Sequence, residues 1–158
     1  MTTVRYLYVL FLAIWLGSMV FFSFVLAPTA FALLPSRDLA GSLVNLSLAK
    51  LHNLSYLIAL LLMACGAWAS KDQSNPIRHF IATNVIVIVM LLVTIGSAQI
   101  VSKRIADVRM LLGPIDTVAV THPLRLEFNR LHEFSVWLMS STMLLSGAQL
   151  FVVLRTLR

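Results

Sequence analysis

Four long stretches without a single charged side chain dominate this sequence. No Asp, Glu, Lys or Arg occurs from Tyr6 to Ser36, from Leu51 to Ser70, from His79 to Ser102, or from Phe134 to Leu154. Each reaches the roughly 20 residues that an α-helix needs to cross a hydrocarbon core of about 30 Å. Hydrophobic residues make up 59% of the chain and charged ones 11%, against about 45–50% and 25% in ordinary soluble domains. Four such runs leave no length for a separate soluble domain. The pattern predicts one all-α integral membrane domain over residues 1–158, a four-helix bundle with both termini on the same side. The first run follows Arg5, but its apolar stretch far exceeds the roughly 7–15 residues of a secretory signal core. It reads as a retained helix.

The charges that remain lie between and beside the runs. The net charge of +6 does not point to nucleic acid, because the twelve basic residues are scattered over short flanks and loops, where they set orientation and meet lipid headgroups. Arg5, Lys71, Arg78, Arg155 and Arg158 fall on the side of the termini. Arg37, Lys50, Lys103, Arg104, Arg109, Arg125 and Arg130 fall on the other. The count leans toward first and third loops in the cytoplasm. Cys65 is the only cysteine, so an intramolecular disulfide and a cysteine metal cluster are both excluded.

The chain repeats itself. KLHNLS at 50–55 returns as RLHEFS at 130–135, LGS at 16–18 as IGS at 95–97, LLP at 33–35 as LLGP at 111–114, and CGA at 65–67 as SGA at 146–148. The order is kept at offsets of 79–81 residues, half the chain. Such ordered self-similarity is the signature of an internal repeat. It predicts two tandem two-helix units, about 1–79 and 80–158, lying parallel about a pseudo-two-fold along the membrane normal. His52 and His132 then open the second and fourth helices at matching depth.

The approaches to those helices are patterned too. Leu39, Leu43, Leu46 and Leu51 make one near-helical stripe, and Leu124, Phe128, Leu131 and Ser135 another, so both helices should project beyond the membrane. Thr121 before Pro123 reads as a helix start. Tyr6, Tyr8 and Trp68 fit interfacial aromatic belts. Pro28 and the pair Gly17–Ser18 are the points where the first helix can bend or pack closely.

The segments WLGSMVFFSFVLAPTAFALLP, AGSL and FNRLHEFSVWLMSSTMLL together resemble the transmembrane protein 205-like family of small four-helix membrane proteins. The resemblance runs over essentially the whole chain. It implies that Phe128, Arg130, His132 and Ser135 carry the family's closing motif, with Trp15, Gly17, Pro28 and Phe31 as opening elements. A proline expected shortly after the third helix is absent here, where the sequence reads QIVSKRIADVR. The resemblance implies no defined activity, and the short, bacterial-looking chain points to an inner or plasma membrane.

Neutral imidazoles are good ligands for haem iron and transition metals. His52 and His132, one on each of two facing helices, are therefore the candidate cofactor or metal ligands. Ser55 and Ser135, three residues on, are candidates to orient the rings, and Lys50 and Arg130 to meet propionates or another anion. The competing reading is structural: a His and a Ser opening a membrane helix bond across a helix interface or cap free backbone groups. Two histidines alone do not complete a usual zinc or copper site, and none of the seven methionines forms a pair at ligand spacing. No nucleophile–base set, phosphate loop or paired carboxylate appears, so an enzyme is not favoured. Four classes remain open: a membrane protein with a His-lined site between the starts of helices two and four, a small-solute or metal transporter or resistance protein working as a homo-oligomer, a haem or metal redox protein, and an assembly subunit. Membrane lipid is the expected surrounding in every one.

Overall fold

The structure is a computed structural model that describes residues 2–155; Arg158, counted above among the cations on the terminal side, lies outside them. Its elements are α1 (Thr2–Phe21), α2 (Ala27–Leu33), α3 (Arg37–Ser70), α4 (Pro76–Gly96), α5 (Lys103–Leu112) and α6 (Pro123–Arg155), with π-helical turns at Phe22–Leu26 and Ser97–Ser102 and one 3₁₀ turn at Ile115–Thr117. The π turns join α1 to α2 and α4 to α5, so four continuous helical segments are long and apolar enough to cross a membrane: Thr3–Leu33, Arg37–Ser70, Pro76–Leu112 and Pro123–Arg155. That is the make-up of a multi-pass membrane protein. Only 17% of the most apolar window of the first and fourth segments is buried inside the bundle, so most of their hydrophobic residues face outward, where lipid is the matching solvent.

Local chemistry sets the ends. Ser36 caps α3 by accepting a hydrogen bond from the amide of Leu39 at 3.2 Å. Asn75 caps α4 in the same way through Arg78 at 3.1 Å, with Pro76 in the first turn, where its missing N–H costs nothing. At the start of α6 the cap is His122 rather than Thr121: the amide of Leu124 donates to Nδ1 of His122 at 3.3 Å. Gly113 closes α5 at φ 68°, a backbone setting that side chains with a Cβ resist. The irregularity in the first segment falls at Phe22–Leu26, just ahead of Pro28, and not at Gly17–Ser18, which stay in regular α1. Proline has no N–H and its ring crowds the carbonyl four residues back, so a widened turn before it relieves the clash.

The helices pack as a square. α1 lies against α3 and α6, and α4 lies against the same two, so α3 and α6 face each other across one diagonal and α1 and α4 across the other. The core begins on α1 with Tyr8, Leu12, Trp15 and Met19, a stripe at spacings of four and three, and meets Ile58, Ala59 and Leu62 of α3 and Val87 and Met90 of α4. Tyr8 is thus buried, not interfacial as its place near the chain start suggested, while Tyr6 and Trp68 are exposed. Lys71 places its ammonium 4.2 Å from the Trp68 ring centre. Of the glycines, Gly66 is the most tightly packed: a Cβ there would stand 2.0 Å from Nδ2 of Asn84. Small residues of this kind let membrane helices pack by contact, since hydrophobic burial gives no net drive between helices in lipid.

At 34 residues, α3 is about 51 Å long at 1.5 Å per residue, well beyond a core of about 30 Å. The projecting start is held by a network of charges. Arg109 of α5 donates to the carbonyl oxygen of Asp38, to its carboxylate at 3.5 Å and to Ser42 Oγ at 3.2 Å. The amide of Ile115 also donates to the Asp38 carboxylate, at 3.4 Å. Arg125 ties α6 to the carbonyl oxygens of Ile115 and Val118. Arg104 pairs with Glu127 at 2.7 Å. Among the described residues no ion pair joins Arg130 to Glu133. The stripe Leu39, Leu43 and Leu46 remains exposed along this extension.

Candidate interior site

Several polar residues of the bundle lie inside it. α6 turns inward through Thr142, Ser146 and Gln149, and these are its only fully buried residues among those described. Spacings of four and three put all three on one helical face. A helix that crosses a membrane with a wholly polar buried stripe is unusual, because polar groups at that depth are costly unless they are satisfied or used.

At one end the stripe meets a cavity of about 10 Å³ lined by Met19, Leu51, His52, Ser55, Thr94, Ser97, Leu138, Met139 and Thr142, the space of a single water. At the other end Gln149 Nε2 donates to the Tyr8 phenol oxygen at 3.0 Å and to the Thr83 carbonyl at 3.1 Å, and the phenol itself donates to that carbonyl at 3.3 Å. Nearby, Ser70 Oγ and His79 Nδ1 lie 2.8 Å apart and join the end of α3 to the start of α4. Ser146 Oγ, between the two ends, and Trp15 Nε1 are buried without a hydrogen-bond partner.

His52 is 6% exposed and lines the cavity. Its ring makes no hydrogen bond among the described residues. Ser55 does not orient it: Ser55 Oγ donates to the Leu51 carbonyl at 2.8 Å. Thr94 and Thr142 spend their protons in the same manner, on Met90 at 2.8 Å and Leu138 at 2.9 Å. The walls therefore offer hydroxyl oxygens whose lone pairs remain available.

His132 is elsewhere. It is exposed, with its ring parallel to that of Phe128 at a centroid distance of 6.3 Å, and it is not part of the cavity wall. The residues of α6 that reach the cavity, Leu138 to Thr142, begin six residues further on, about 9 Å along the axis. Ser135 is half-buried and stands seven residues ahead of Thr142 on the inward face, whereas His132 belongs to the neighbouring row. Arg130 is exposed, and Lys50 is exposed on an outer groove between α1 and α3 that also includes Gly17, Ser18 and Phe22. The structure thus brings His52 and Ser55 to one place and keeps Lys50, Phe128, Arg130 and His132 apart from it.

Sequence inspection passes over Met19, Met139, Thr142, Ser146 and Gln149. The signal was present in part, as the helical spacing of Thr142, Ser146 and Gln149 in an otherwise apolar run. For Met19 and Met139 no spacing could have told it, since they come from different helices.

Fold and interior together define a four-helix membrane-type bundle with a line of buried polar residues beside its apolar core. Residues 10–113 match the model of a domain of unknown function, DUF4149; the match covers more than half of the chain, which belongs to that family. It ends at the glycine that closes α5, so α6 and its polar stripe lie beyond the matched segment. No curated protein and no solved structure matches the chain.

Proposed function

We propose that this is a multi-pass protein of the bacterial inner membrane that takes a small polar species into its interior and passes it along the polar face of α6. The carrying observation is that face itself: Thr142, Ser146 and Gln149, the buried residues of α6 among those described, run from the His52 cavity to the Tyr8–Thr83 cluster, flanked by the partly buried Met143 and Leu145. A scaffold needs no such line, because small apolar residues pack membrane helices as well. The transporter or resistance reading is therefore preferred to an assembly subunit. Haem is not favoured: the cavity of about 10 Å³ is far below the few hundred Å³ that a cofactor-sized ligand needs, and His132 stands outside it. Passage of anything larger than a single atom or water requires the bundle to open or copies to associate.

Kinship with the transmembrane protein 205-like family belongs to the same proposal, as does descent from a duplicated two-helix unit. The diagonal placement of α3 with α6 and of α1 with α4 is the arrangement a parallel pseudo-two-fold generates.

The test is accessibility. In a Cys65→Ala background, Thr142→Cys and Ser146→Cys in sealed vesicles are treated with a small charged methanethiosulfonate, with Leu144→Cys as the outward-facing control. Reaction at positions 142 and 146, and none at 144, supports a hydrated path. Silence at all three positions means the stripe is sealed and serves only to hold helices together.

A further inference from the structure

Two soft donors and one borderline donor line the cavity. Met19 comes from α1, His52 from α3 and Met139 from α6. Thioether sulphur is a soft ligand, and imidazole accepts the same metals. His52 is buried and has no protein partner for its ring among the described residues, so a nitrogen lone pair remains for a ligand. Ser55, Thr94 and Thr142 point their protons at their own helices and leave only oxygen lone pairs toward the space. The wall holds no carboxylate, and the hydrogen-bond donors it leaves unspent are the Ser97 hydroxyl and one ring N–H of His52. Among the described residues no cluster of three or more His, Cys, Asp or Glu could hold a metal.

We infer that the cavity is a binding site for a soft monovalent metal ion, copper(I) or its analogue silver(I), held by the sulphurs of Met19 and Met139 and a ring nitrogen of His52. Four considerations select that class. Apart from the Ser97 hydroxyl and the one N–H of a neutral His52 ring, the wall offers lone pairs, which suit a cation better than an anion. A neutral donor set cannot offset two positive charges in a membrane interior, where each uncompensated charge is expensive, so a monovalent ion is preferred to zinc or calcium. Calcium would also require about six to eight oxygen ligands, more than the hydroxyls here supply. Finally, a volume of about 10 Å³ admits an occupant of one heavy atom. The inference rests on the interior-site reading above and gives its polar species a chemical identity.

The experiment is silver(I) titration of the full-length, detergent-purified protein in a Cys65→Ala background, followed by calorimetry and by melting temperature. Met19→Leu, Met139→Leu and His52→Gln are compared; methionine to leucine keeps volume and is tolerated well in cores. One ion per chain is expected, with each variant weakening it by at least about ten-fold, since even outer-shell partners of a metal are worth 10–100-fold. Equal binding by wild type and all three variants overturns the site, and so does the absence of binding. X-ray absorption of the wild-type protein loaded with copper(I) under ascorbate needs no variant: a sulphur and nitrogen shell supports the assignment, and a shell of oxygen alone overturns it. The two proposals fail separately. Silver binding with unreactive cysteines at 142 and 146 leaves a metal site without a path, whereas reactive cysteines without silver binding leave a path for another species.

Discussion

Gln149 donates from Nε2 to the phenol oxygen of Tyr8 at 3.0 Å, joining residues 141 positions apart and tying the last turns of the fourth segment to the first turns of the first. Both side chains are buried, and both reach the Thr83 carbonyl of α4, so three of the four helices share one knot. A Gln149→Leu, Tyr8→Phe double-mutant cycle should give a coupling of about 0.6 kcal/mol, with about 1.7 kcal/mol as the upper end seen between membrane helices. Detergent-denaturation curves of the four proteins measure it, and a coupling indistinguishable from zero would show that the knot adds nothing.

Gly66 and Asn84 are locked by shape. Gly66→Ala puts a methyl 2.0 Å from the Asn84 amide nitrogen, and that nitrogen is already committed to the Phe80 carbonyl at 3.0 Å. Destabilisation of about 1–3 kcal/mol is expected, as for other overpacked sites. Adding Asn84→Ala should return much of it. Failure of the double variant to recover in a thermal melt would place the strain elsewhere.

The two histidines of the repeated hexapeptide should respond unequally. His132→Ala touches an exposed ring and should shift stability by no more than about 0.5 kcal/mol, as surface changes do. His52→Ala opens a buried wall and should cost about 1–3 kcal/mol, within the range of large-to-small and polar-burial effects. Melting temperatures side by side decide it; equal losses would mean that the hexapeptides do the same work.

Arg109 holds the start of α3 to α5 through Asp38 and Ser42. Arg109→Ala should remove about 1.5–3 kcal/mol of local stability, the range for hydrogen bonds to charged groups. The loop of residues 113–122 should then be cut more readily in limited proteolysis. An unchanged cleavage rate would show that the Arg104–Glu127 pair and Arg125 suffice to hold that end.

Much of the architecture was legible because the bilayer is a strict solvent. Uncharged runs of sufficient length have to be helices there, and Pro123 marked a helix start within one residue of where it lies. The overshoot of α3 was written in the helical stripe ahead of Leu51. The rotation of each helix about its own axis was not written anywhere local. KLHNLS and RLHEFS are nearly the same sequence, yet one histidine is buried and the other is not, because neighbouring helices decide which row of α6 turns inward. The cavity was illegible for a related reason: Met19, His52 and Met139 belong to three helices, and only packing brings them into register. Tyr8 was misplaced because position near a chain end was weighed without the buried amide of Gln149 that receives it.

The π turns carry a last consequence. Each holds one residue more than the α-helical count, and such a surplus can migrate along a helix one peptide at a time without breaking it. Ser97 opens the second π turn and also forms part of the cavity wall. Sliding the surplus past it would turn the intervening residues by about 100° and advance them by about 1.5 Å, withdrawing the Ser97 hydroxyl and presenting the side of Gly96 or Ala98 instead. The wall could then exchange an oxygen for a hydrogen or a methyl group while every helix stays intact, a change of lining achieved by bookkeeping of register alone.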